Sequence, residues 1–259
     1  MINLFCVFVV WFFCLLAGLL AVFNGSIAHP GVSDKVVWYN TQNSVDLLKD
    51  SDMSDFISLS QNFESQRNHT YCAVATSSIL LNTFYLTKDD NILPIMDEIT
   101  RRDGTKHAMR LFSQDNILND KTEAIKKRST VIDFAGQNPG FTIDELSQLL
   151  RHYKIKTKVF HVDNKSVTYK KFKDDLIKHL SKPDDVYMVV NFHRSKLGFN
   201  AWGGHISPLL AYNTKQDMVL IGDVSQFNNR WYWVSSADLF AGMNTLDGDK
   251  YRGYIIVSK

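Results

Sequence analysis

The hydrophobic pattern divides the chain into segments of different texture. Residues 4–23 are almost unbroken hydrocarbon and aromatic, and no Asp, Glu, Lys or Arg occurs from Met1 to Ala28. A run of this kind has no place on a soluble surface. It reads as a secretory signal over 1–28, with small residues at Ser26-Ile27-Ala28 for cleavage; the alternative is an uncleaved anchor over 4–23, long enough to span a bilayer. A polar stretch over 34–64 leads into Tyr71-Cys72-Ala73-Val74-Ala75-Thr76-Ser77-Ser78-Ile79-Leu80-Leu81-Asn82, small and apolar nearly all round, the pattern of a buried helix. Asn68 and Thr70 are N-cap residue types that would put Cys72 in its first turn. Residues 97–132, rich in charge and poor in periodicity, read as helices and a surface insertion. Thr142 with Glu145 three positions on is a capping box opening an amphipathic helix to about Tyr153. A strand over 158–162 and a helix over about 168–180 follow.

From Val186 the texture changes to β-rich runs over 187–192, 205–212, 218–224, 231–234 and 254–257, separated by Gly, Asn and Asp clusters. Helices first and strands later predict an α+β domain over 29–259: a helical half packed against an antiparallel sheet, with a cleft between them. Apolar and charged fractions of 45% and 22% are ordinary for a globular domain. A formal charge of +2, with Lys and Arg scattered, excludes an evident nucleic-acid surface.

Of the three cysteines, Cys6 and Cys14 lie in the apolar leader and Cys72 alone falls in the remainder. No disulfide can form within 29–259. A lone thiol in an exported protein is either buried and inert or kept for its reactivity. At a helix start, backbone N–H groups and the helix dipole favour the thiolate, which makes Cys72 a candidate nucleophile.

A base is offered by Gly203-Gly204-His205-Ile206-Ser207-Pro208, which opens the first strand of a hairpin. If the turn centres on Thr214, His205 lies opposite Asp223 on one face; a centre half a residue later misaligns them by one. Asp223 would then hold the imidazole while the far ring nitrogen addresses the thiol. Gln66, six residues before Cys72, is a candidate oxyanion donor. The other histidines show no HExxH or CxxC spacing, so a tight zinc site is not expected. The Trp231-Tyr232-Trp233 cluster reads as core.

At these residues the chain resembles the phytochelatin synthase family, thiol enzymes of papain-like fold that use glutathione as donor. The resemblance extends from about Gln66 to the C-terminus. It is carried by Gln66-Arg67-Asn68-His69-Thr70-Tyr71-Cys72-Ala73-Val74-Ala75-Thr76, by 203–212, by Leu220-Ile221-Gly222-Asp223-Val224 and by 233–243. It implies Cys72 as nucleophile, His205 as base, Asp223 as its orienter and Gln66 as oxyanion donor. It also implies that the γ-glutamyl end of glutathione meets Asp247 through its α-amino group and Arg252 through its α-carboxylate, with Arg194 as a third contact.

Three departures from the family pattern stand out. Ala73 replaces the usual glycine after the cysteine, residues 101–132 are longer than in many relatives, and a cysteine-rich C-terminal region is lacking, which resembles the short prokaryotic type. The expected chemistry is removal of glycine from glutathione through a γ-Glu-Cys acyl enzyme, mainly hydrolysis, with transfer to a second glutathione as the minor outcome. No cofactor is required on this view. Heavy metal ions such as cadmium or zinc enter as glutathione thiolate complexes, a homodimer is left open, and membrane contact arises only through an uncleaved leader. The rival readings are a general papain-like cysteine peptidase and a non-catalytic periplasmic protein that binds glutathione or metal–thiol complexes.

Overall fold

The computed structural model describes residues 35–86, 92–125, 140–180, 185–201, 203–225 and 231–259. The apolar leader and its two cysteines lie outside these, as do residues 126–132 of the expected insertion. Residues Ser33–Lys259 form one compact unit. Strand β1 (Val36–Trp38) is followed by helices α1 (Gln42–Lys49), α2 (Ser54–Ser60) and α3 (Cys72–Tyr85). Next come strands β2 (Ile95–Thr100) and β3 (Lys106–Arg110), helix α4 (Ile143–His152), strand β4 (Lys156–His161) and helix α5 (Tyr169–His179). The second half contains β5 (Val186–His193), β6 (Gly204–Asn213), β7 (Met218–Ile221), β8 (Tyr232–Ser235), helix α6 (Ser236–Met243), β9 (Leu246–Asp247), β10 (Lys250–Tyr251) and β11 (Gly253–Ser258).

Seven strands form one sheet in the order β1-β8-β7-β6-β5-β11-β4, with every neighbouring pair antiparallel. The expected α+β architecture is therefore present. Strand β5 is buried along most of its length because both faces are covered. Tyr187 and Val189 belong to the core shared with α3 and α4. The alternate residues Met188 and Val190 point to the other side, where Phe172 of α5 approaches Tyr254 of β11 and Phe240 of α6 with ring centroids 5.2 and 6.1 Å apart.

Helix α3 is the centre of the core, with every residue except Thr83 buried. Each fully buried Leu, Ile or Phe here contributes roughly 1.5–3 kcal/mol. Its buried polar residues all find partners. Thr76 Oγ1 donates to Ile206 O of β6 at 3.4 Å, and Ser78 Oγ and Asn82 Nδ2 donate to Phe112 O at 3.1 and 2.9 Å. Asn82 Oδ1 accepts from Phe112 N, so α3 grips the 111–116 segment from both sides of one residue.

The sequence expectations fail at three points. Residues 95–110 form an exposed two-stranded hairpin where helices were expected; its β-branched residues sit on a surface that gives no burial pattern to read. Helix α3 is preceded by Tyr71 with no side-chain cap, because Asn68 Oδ1 is turned to Thr70 N and Thr70 Oγ1 instead. The β6–β7 turn centres between Lys215 and Gln216, since Asn213 pairs with Met218 and Tyr212 with Val219. The capping box is present as expected, with Thr142 N donating to Glu145 Oε2 at 2.7 Å and Glu145 N to Thr142 Oγ1 at 3.2 Å.

Candidate active site

The position of Cys72 follows from the turn that precedes it. Asn68 closes a tight loop through Thr70, Tyr71 N reaches back to Asn68 O at 3.3 Å, and α3 begins at Cys72. No side chain caps this first turn. Cys72 is buried, at 7% residual exposure.

His205 opens β6 and pairs with Phe192 of β5. A turn centred as observed would put His205 and Asp223 on opposite faces of the hairpin. A β-bulge between Leu209 and Ala211 corrects this: beyond it Leu209 pairs with Ile221, and Gly222 N donates to Pro208 O at 3.0 Å. One extra residue restores the parity, so the two side chains meet as diagonal neighbours on one face. His205 Nε2 lies 2.8 Å from Asp223 Oδ1. The thiol of Cys72 is hydrogen-bonded to the same ring, which leaves Nδ1 for the sulfur. The three residues thus form a chain in the order expected, by a different register.

Burial opposes ionisation of all three, and the neighbours reverse the balance. The Cys72 thiol is lowered by its hydrogen bond to His205, by the charge of that ring, by Ile206 N–H and by Arg194. The His205 pKa is raised by Asp223 against burial and the opposing charge of Arg194. Despite burial, Asp223 is held well below the usual carboxylate range by His205, by Arg194 and by Ser225 N, which donates to Oδ1 at 2.7 Å. The Cys72 and His205 shifts both run in the direction of a thiolate–imidazolium pair.

Gln66 is buried and fixed from several directions. Its N–H donates to Val224 O at 2.7 Å, and its Nε2 donates to Asn68 O at 2.7 Å. Gln114 brackets it, donating to Ser65 O at 2.9 Å and accepting from Arg67 N at 2.9 Å. The side-chain amide is therefore held beside the loop that leads to Cys72.

Arg252, between β10 and β11, reaches toward His205 from the other flank. A Cβ on Gly204 would lie 2.6 Å from its Nε and 2.7 Å from Nη2. Only glycine lets the guanidinium lie against the backbone next to the base. The preceding Gly203 has φ +91°, a conformation that also favours glycine. Arg252 Nη2 donates to Asp247 Oδ1 at 3.3 Å, and Nη1 contacts Thr245 Oγ1 and Leu246 O. Asn191 Nδ2 of β5 donates to the other Asp247 oxygen at 3.0 Å. Arg194, by contrast, points its Nη2 at both oxygens of Asp223, at 3.2 and 3.3 Å.

Sequence reasoning did not single out Gln114 or Asn191. Gln114 lies in a stretch with no periodicity, and Asn191 is one polar residue in an apolar strand, a signal of a buried partner that does not say which. Among the described residues no group of three His, Cys, Asp or Glu is arranged to hold a metal ion.

The buried thiol, imidazole and carboxylate are the groups of a cysteine nucleophile site. A family model described as phytochelatin synthase matches residues 27–254, and the chain belongs to that family. It is 28% identical over 218 residues to glutathione gamma-glutamylcysteinyltransferase 3 of Lotus japonicus, covering 83% of this chain and 40% of that protein. Relatives named glutathione gamma-glutamylcysteinyltransferase 1 of Arabidopsis thaliana and glutathione gamma-glutamylcysteinyltransferase of Schizosaccharomyces pombe are each 24% identical, over 82% and 81% of this chain. The chain spans 39% and 45% of those two relatives' lengths, less than half in each case.

Proposed function

We propose that this protein is a thiol acyltransferase and hydrolase acting on glutathione through a papain-like arrangement of helix-borne cysteine and sheet-borne base. The observation that carries the reading is the Cys72–His205–Asp223 chain with the Arg252–Asp247 pair lying against the backbone at Gly204. The Cys72 thiolate attacks the carbonyl joining Cys to Gly, with the Gln66 amide and the Cys72 N–H positioned for the developing oxyanion. The C–N bond breaks, His205 gives its proton to the departing glycine amine, and γ-Glu-Cys remains as a thioester on Cys72. His205 then takes a proton from the acceptor. Water releases γ-Glu-Cys; the α-amino group of a second glutathione gives the lengthened peptide. Both routes restore the thiolate–imidazolium pair.

On this reading Asp247 and Arg252 select the γ-glutamyl end, the former meeting its α-amino group and the latter its α-carboxylate. A peptidase that merely cut peptide bonds has no need of them. Cadmium or zinc reaches the site as a thiolate complex of the substrate, and the protein is exported, with residues 1–28 as the leader. Hydrolysis is the main reaction, with transfer the minor one.

The test is incubation with glutathione, with free glycine assayed and the intact protein weighed by mass spectrometry. Glycine release and a γ-Glu-Cys adduct on Cys72 are expected, both lost in Cys72→Ala. Equal glycine release by Cys72→Ala, or reversible glutathione binding without adduct, overturns the proposal.

A further inference from the structure

Arg194 stands immediately after β5 in a 3-10 turn (Arg194–Leu197), with its side chain 14% exposed. Its Nη2 lies within 3.3 Å of both oxygens of Asp223, a carboxylate with no exposed surface. Asp223 Oδ1 therefore serves three donors at once: Arg194, His205 Nε2 and Ser225 N. A buried carboxylate facing imidazole alone would hold the imidazolium so firmly that it would give up its proton late. A second cation on the same carboxylate spreads that charge over two partners.

We infer that Arg194 is a positioning residue acting through Asp223: it offsets the carboxylate charge felt by His205 and sets the pH window in which the Cys72–His205 pair transfers protons. The role expected from sequence was a contact to the γ-glutamyl end; on this inference Arg194 acts on the carboxylate. The groups facing His205 agree with it. Cys72 comes from α3, Asp223 from the segment after β7, and the Arg252 guanidinium lies against the Gly204 backbone. Tyr232 of β8 is buried near Asp223, with its own ionisation pushed well up, first by burial and then by that carboxylate. Besides the imidazolium itself, Arg194 is the one cation among the described residues bonded to Asp223. Its charge disfavours the imidazolium and favours the thiolate. Neutralising it moves both ionisations to higher pH.

The inference rests on the proposed thiol chemistry for its kinetic consequence, but not for its titration, so two readouts are needed. The first is the pH dependence of Cys72 alkylation by iodoacetamide in the full chain, read on the Cys72 peptide by mass spectrometry. The second is the pH profile of kcat/KM for glycine release. Arg194→Gln, which keeps a donor toward Asp223, and Arg194→Met should shift the alkylation midpoint and both kinetic limbs to higher pH by about one unit. Arg194→Lys, which keeps the charge, should return them close to the unsubstituted protein. A raised KM in Arg194→Gln with an unmoved alkylation midpoint makes Arg194 a substrate anchor and overturns the inference. So does a midpoint that moves equally in Arg194→Lys and Arg194→Gln. A shifted midpoint in a protein that releases no glycine sinks the proposed reaction and leaves the role of Arg194 standing.

Discussion

At the scale of single residues, the site depends on one fully buried carboxylate. Asp223 is tolerated without solvent only because an imidazole, a guanidinium and a backbone N–H all face it. Removing it leaves two cationic groups buried together, a case in which the loss exceeds the worth of the original pair. Asp223→Ala is therefore expected to lower stability by about 3–5 kcal/mol in urea unfolding, and to lower kcat/KM by about 100-fold or more because the ring loses both its tautomer and its orientation. Loss of activity with unchanged stability would mean that Arg194 and His205 find other partners. This carboxylate and its histidine were legible in sequence as residues of one hairpin, although the count that paired them used the wrong turn centre. Arg194 was not, since nothing in a strand's periodicity says where a long side chain past its end will turn.

Among the elements, the β-bulge at Leu210 matters more than the turn. The count from the loop placed the turn too early by one and a half residues, yet the pairing of His205 with Asp223 survives because the bulge changes the parity of everything beyond it. Pro208, in the middle of a central strand that offers it no place as a donor, is the residue that marks such an irregularity in sequence. The capping box of α4 was legible for the opposite reason: both partners lie within one turn, so no tertiary contact is needed to fix them. The glycines before His205 belong to this scale too. Gly204→Ala puts a methyl 2.6 Å from Arg252 Nε and must displace the guanidinium from beside the base. A rise in KM for glutathione of about tenfold is expected, corresponding to loss of roughly 1.4 kcal/mol of charged recognition, with Cys72 alkylation little changed. A slower alkylation with unaltered KM would show that the methyl disturbs His205 rather than Arg252.

Across the whole molecule, the groups of the proposed site come from two layers that meet along one line. The thiol is carried by α3, buried against β6; His205 is carried by the sheet, Asp223 by the segment after β7, and the Arg252–Asp247 pair by the β9–β10 hairpin and its exit into β11. A glutathione held between them would touch both layers, so its binding free energy should add to the cohesion of the folded unit. Because Ser33–Lys259 is one compact unit, a single unfolding transition should report the gain. The Cys72→Ala protein, unable to form an acyl adduct, isolates binding from turnover. At about a hundred times Kd the ligand adds about 2.7 kcal/mol, or about 5 to 10 °C in Tm for a domain of this size. The dipeptide Cys-Gly, which lacks the γ-glutamyl group, should give no such rise, and Arg252→Ala combined with Cys72→Ala should abolish the effect of glutathione. An equal shift with Cys-Gly would place recognition on the scissile side of the peptide, leaving Asp247 and Arg252 as a pair that serves the fold alone.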